Sequence, residues 1–179
     1  ANQQLARVLP LLQQTNYGLY WGKYYALSGK IASKMNEPEK AIKSYFEAAE
    51  AFKKSRNYSA QSEVYLALGD VFHQQWNHQK ALDYYQAGLH ISHNYPNENK
   101  LVQLQILEQL GLCNLELNNF QPALKYLVQA KALAEKNNAK TTLCKILQLM
   151  GQTYIEQHQY ESAGRVLKEA QLIRSEEHT

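Results

Sequence analysis

The sequence predicts an all-α fold, a right-handed superhelical solenoid of antiparallel helix hairpins with about nine helices. Two observations carry this. Four glycines, Gly29, Gly69, Gly111 and Gly151, recur at separations of 40, 42 and 40 residues. The chain also holds only 8 Gly and 4 Pro in 179 residues, which favours long helices over many short strands.

Each repeating Gly sits inside a helical pattern, where Gly costs roughly 1 kcal/mol against Ala. Its recurrence in one register marks a place where two helices approach too closely for a side chain. Twelve residues on come Ala41, Ala81, Ala123 and Ala163. Four further on come Tyr45, Tyr85, Leu127 and Leu167, then Ala48, Gly88, Ala130 and Ala170. Tyr25, Tyr65, Leu107 and Leu147 lie four before each Gly. Small and large residues at fixed places imply knob-and-hole packing inside a hairpin. Between each Gly and its Ala lies a breaker cluster: Asn36-Glu37-Pro38, Trp76-Asn77-His78, Asn118-Asn119-Phe120 and Gln157–Tyr160.

These places resemble the tetratricopeptide repeat: aromatic or Leu, Leu-Gly, Tyr, Ala, aromatic, small. The second repeat fits best, with Tyr65, Leu68-Gly69, Phe72, Ala81, Tyr85 and Gly88. The first departs at Ser28 and Ala32, the third at Asn114. The period exceeds the standard 34 residues. The extra residues are expected between hairpins, near Arg56–Ala60, His93–Lys100 and Lys136–Lys140. Extended repeats of this kind are similar to those of kinesin light chains, polarity scaffolds, bacterial peptide-pheromone receptors and regulator sensor domains. Helices of roughly 16 to 19 residues follow from the spacing.

The expected boundaries within this single solenoid are 15–55, 56–96, 97–137 and 138–175 for the four repeats, with 176–179 as tail or linker. Residues 1–14 read as the second helix of a preceding, truncated repeat, so the sequence reads as part of a longer chain. The aromatic group Tyr17, Tyr20, Trp21, Tyr24 and Tyr25 opens the first full hairpin. It reads first as packing against helix 1–14 and the helix before it, and second as an aromatic binding patch; a dimer face formed with helix 1–14 is a further reading.

The resemblance implies a concave groove lined by the first helix of each hairpin. On the family register the first repeat presents Lys23, Ala26, Lys30, Ser33 and Lys34, and the second Glu63, Leu66, Asp70, His73 and Gln74. The third presents Gln105, Glu108 and Glu116, together with Leu115, and the fourth Lys145, Gln148 and Gln152. The groove is then basic, acidic and amide-rich in turn, suited to an extended peptide. The carboxylate clamp of chaperone adaptors is missing, since Ala67, Asp70 and Gln109 stand at its places. The Asn ladder of the kinesin and polarity relatives is missing too.

Other classes find little support. A net charge of +3 with scattered Lys and Arg is no nucleic-acid footprint. No apolar run nears the roughly 18 residues of a membrane span. His90 and His93 lack the companions a zinc site needs, so no metal or cofactor is expected. No nucleophile accompanies His73, so no enzyme is expected. Cys113 and Cys144 sit nine places apart in register, about 13 Å along parallel helices, beyond disulfide reach. The expected function is a protein- or peptide-binding scaffold module of a larger regulatory or signalling protein, cytoplasmic, with a protein or peptide partner. The alternatives are a bacterial sensor domain for a small molecule or pheromone, and a self-association module.

Overall fold

A computed structural model of the chain describes residues 18–95 and 100–176. Among them every regular element is a helix. These are α1 (Gly18–Lys34), α2 (Pro38–Lys54), α3 (Tyr58–Gln74), α4 (His78–Asn94), α5 (Lys100–Glu116), α6 (Phe120–Lys136), α7 (Lys140–Glu156) and α8 (Tyr160–Glu176). The expected helix 1–14, Tyr17 and residues 177–179 lie outside the described residues. The contacts form two compact units, Ala1–Val102 and Gln103–Thr179.

Each helix has 17 residues. Six connections have three residues, at 35–37, 55–57, 75–77, 117–119, 137–139 and 157–159. Two such helices with two such turns make the 40-residue period. The 42-residue step coincides with the longer connection between Asn94 and Lys100. The residues beyond a 34-residue period therefore lengthen helices instead of widening the connections between hairpins. Tyr58, Ser59 and Ala60, expected in a linker, open α3.

All six short turns are built alike. The middle residue is left-handed: Asn36, Arg56, Trp76, Asn118, Asn138 and His158 have φ between 53° and 59°. Its N–H bonds three residues back, as Trp76 does to the His73 carbonyl at 2.9 Å. The next N–H bonds five back, as Asn77 does to Phe72 at 3.0 Å. This double bond satisfies the orphan carbonyls of the helix end. The following residue then starts the next helix. Asn57 and Asn77 accept hydrogen bonds on their side chains from the N–H groups of Ala60 and Lys80, the usual N-cap arrangement.

None of these left-handed positions is glycine, although an L side chain there costs roughly 1–2 kcal/mol. Trp76 is the extreme case, bulky and 80% exposed. Its ring meets His78 edge-on, at 5.9 Å between ring centres. Trp76→Gly should therefore raise stability by about 1 kcal/mol, or about 3 °C in Tm for a chain of this length. A thermal melt showing a lower Tm would reveal a packing role for the indole.

The hairpins close on the repeating glycines. A Cβ on Gly29 would stand 2.7 Å from the Tyr45 ring, and one on Gly69 would penetrate the Tyr85 ring. Leu127 and Leu167 press on Gly111 and Gly151 in the same way, at 2.5 and 2.6 Å. Tyr85 and Leu127 are fully buried, as are Ala41, Ala81 and Ala123 at the small-residue places. Ser62 donates to the Gly88 carbonyl at 3.0 Å, and Cys144 donates to that of Ala170 at the equivalent place. Departures from the family pattern are locally satisfied. Asn114 is buried and donates to its own helix at Leu110, 2.7 Å away. Ser28 meets Ser44 at 3.5 Å.

Candidate functional site

In the first unit α1 and α3 form two walls of a concavity of about 550 Å³, with α2 beneath. The first wall follows from helical spacing. Lys23, Ala26, Lys30, Ser33 and Lys34 fall at steps of three, four, three and one, so they share one face of α1 and all line the concavity. Glu63, Ala67, Asp70 and Gln74 do the same on α3. Tyr45 and Phe52 reach in from α2. All five α1 residues expected at the groove are therefore brought together, with three of the five from α3.

The electrostatics are one-sided by wall. Lys23, Lys30 and Lys34 are exposed, and none has an ion-pair partner among the described residues. Opposite them Asp70 is partly buried and accepts a 2.8 Å hydrogen bond from the Tyr85 hydroxyl. Burial pushes the Asp70 carboxyl above the usual carboxylate range, while the Tyr85 bond and nearby His73 pull it down. Burial, with Asp70 close by, drives the Tyr45 phenol up to about 12. Tyr45 is therefore a neutral hydroxyl at working pH, able to donate.

The remaining expected residues fall elsewhere. His73 does not line the concavity; its ring meets His78 edge-on at 5.2 Å. In the second unit Gln105, Glu116 and Gln152 are exposed, and Leu115 is buried at 5% instead of facing a groove. Burial raises the Glu108 carboxyl and facing Lys145 lowers it. Lys145 and Gln148 line a separate concavity between α7 and α8. The sequence reading missed Tyr45 and Phe52 as groove residues. Tyr45 packs against Gly29 and also lines the groove, so it serves both roles.

Trp21, Tyr24 and Tyr25 are half-buried and pack on one another, with Trp21 stacked on Tyr25 at 5.5 Å. Tyr20 is 53% exposed. No disulfide joins Cys113 and Cys144. No described helix is long and apolar enough to cross a membrane.

The Tetratricopeptide repeat family profile matches residues 61–136. This chain has the tetratricopeptide-repeat fold. No curated protein sequence matches it. Among solved structures it is similar to the apo form of RapI, at 15% identity and a TM-score of 0.89, over 99% of this chain and 64% of that one. It is also similar to BtubC from P. vanneervenii, at 16% identity and a TM-score of 0.79, over 88% of this chain and 64% of that one. A Rap protein in complex with Competence and Sporulation Factor is similar at 17% identity and a TM-score of 0.70, over 97% of this chain and 48% of that one. The chain thus spans just under two thirds of RapI and of BtubC, and about half of the Rap protein. At these identities the likeness is one of fold. Within the tetratricopeptide-repeat fold, the lysine wall and the partly buried Asp70 are features of this chain's own residues.

Proposed function

We propose that this chain is a binding module that takes an extended peptide segment in the concavity between α1 and α3, as part of a larger regulatory protein. The observation that carries the reading is the pairing of walls: three lysines without ion-pair partners among the described residues face a wall holding a partly buried carboxylate. Exposed cations alone read as a solvated face. A carboxylate held in a partly buried wall against its own preference for the charged form is a different matter, since such groups cluster at functional sites. Solenoids use extended concave surfaces for binding, and the tetratricopeptide-repeat fold with its Rap-type neighbours is consistent with that use.

The dimensions define the ligand. Lys23 to Lys34 spans eleven residues, about 16 Å of helix. That accommodates roughly five residues of extended peptide. Lys30 and Lys34 lie about 6 Å apart, the spacing of side chains two apart on one edge of such a peptide. Acidic side chains or main-chain carbonyls would face α1. A cationic group or N–H donors would face Asp70 and Glu63, and an apolar side chain would rest on Phe52 and Ala26.

Display of random peptides against the full chain tests this. The expected selection is of short peptides carrying both charge signs. Their affinity should fall at least tenfold in Lys30→Glu and in Asp70→Lys, because each places like charge against the ligand. Selection of peptides indifferent to both variants would exclude the groove.

A further inference from the structure

A second concavity, of about 920 Å³, lies wholly within the last hairpin. It is formed by one face of α7, with Cys144, Lys145 and Gln148, and one face of α8. The residues on α8 are Gly164, Leu167, Lys168, Gln171 and Arg174, spaced three, one, three and three apart. Two features of α8 are not explained by packing inside the hairpin.

The first is Gly164. It lies in the helix interior, where glycine is costly, yet a Cβ there would meet nothing within 4 Å. At Gly29, Gly69, Gly111 and Gly151 a large side chain occupies the space that the glycine leaves. Gly164 instead stands at the place that Ile42, Leu82 and Leu124 fill in the earlier hairpins. It opens a gap in the wall of the concavity.

The second is charge. In the first hairpin the corresponding face of α2 bears Ile42, Phe46, Ala49 and Phe52, and α3 packs on α2. On α8 those four places hold Gly164, Lys168, Gln171 and Arg174. Neither Lys168 nor Arg174 has an ion-pair partner among the described residues, and no carboxylate lines the concavity.

We infer that the α7–α8 concavity is a docking surface for an acidic segment of a partner protein, whose apolar side chain enters the gap at Gly164 above Leu167 while its carboxylates meet Lys168 and Arg174. Three cations set among apolar and amide side chains suit a short acidic peptide. A nucleic acid needs a longer basic track. This surface is separate from the α1–α3 groove, so the two readings stand or fall independently.

A fluorescein-labelled 12-residue peptide of alternating Glu and Leu, titrated into the full chain at near-physiological salt with anisotropy as readout, tests the inference. It should bind, and its Lys-for-Glu counterpart should not. The Lys168→Glu, Arg174→Glu double variant should weaken binding at least tenfold. Gly164→Leu should weaken it comparably with no fall in Tm, because the gap is filled without a clash. Lys23→Glu with Lys30→Glu should change it less than twofold. The inference is overturned if the basic peptide binds equally, if reversal in either concavity weakens binding alike, if Gly164→Leu binds as wild type, or if a single-stranded DNA 12-mer competes at equal concentration.

Discussion

Gly69→Ala is expected to destabilise this chain by about 2 kcal/mol, whereas Gly164→Ala is expected to stabilise it by about 1 kcal/mol. Both replace a helix-interior glycine, so both gain the same roughly 1 kcal/mol of helix propensity. The difference lies in what the new methyl meets. At position 164 it meets nothing within 4 Å. At position 69 it enters the ring of Tyr85, which is fully buried with no room to retreat. Overpacking of this kind costs about 1–3 kcal/mol or more, and the upper end applies because the obstacle is a rigid, fully buried ring. Chemical denaturation of the two variants beside wild type reads the opposite signs directly. Equal stabilisation by both would mean that α3 and α4 do not close on Gly69.

Tyr85→Phe is the second large effect, and its size should depend on pH. The Tyr85 hydroxyl donates to Asp70 at 2.8 Å. Without it a partly buried carboxylate loses its neutral donor, at about 1–3 kcal/mol. Burial, the largest influence on Asp70, raises its folded pKa above the unfolded value near 3.9. A raised folded pKa means that the native state binds more protons between the two values. The group's contribution to stability is therefore greatest below the unfolded pKa. It falls as pH rises through the folded pKa and stays reduced at neutral pH. Two results follow. The cost of Tyr85→Phe should be largest at pH 7 and shrink on acidification as Asp70 takes up its proton. Asp70→Asn should stabilise the ligand-free chain more at pH 7 than near pH 3, since burial disfavours the ionised carboxyl. Urea melts of the single and double variants across this range give the coupling between the two side chains. A Tyr85→Phe cost independent of pH would show that the bond does not serve the ionised carboxylate.

A gain in stability on replacing Asp70, together with a loss of binding, is the trade-off expected of a functional group. A carboxylate kept for packing alone would show no such opposition.

What could be read from the sequence divides by the physics involved. The four glycines and their partners Tyr45, Tyr85, Leu127 and Leu167 were legible because close helix approach admits few residues. The α1 wall was legible too, since an uninterrupted helix fixes which residues share a face. The turns were only half legible. Their positions showed in the Asn-rich clusters, but Arg56, Trp76 and His158 give no local sign of a left-handed backbone. Side-chain direction near a helix end was not legible. His73 and Leu115 hold the same register place as Ser33, four after the repeating Gly, yet only Ser33 lines the groove; His73 turns to His78 and Leu115 is buried. The α7–α8 concavity escaped because the register rule considers first helices alone. Its signal, Gly164 where Ile42, Leu82 and Leu124 stand elsewhere, emerges only on aligning the second helices.

The central claim, that the α1–α3 concavity takes an extended peptide, is tested most directly by backbone amide shift mapping of the full chain with a display-selected peptide. The expected perturbations run along the facing sides of α1 and α3, from Lys23 to Lys34 and from Glu63 to Gln74, with the Tyr45 region of α2 beneath them. Shifts confined to other helices, with these residues unmoved at saturation, would contradict it.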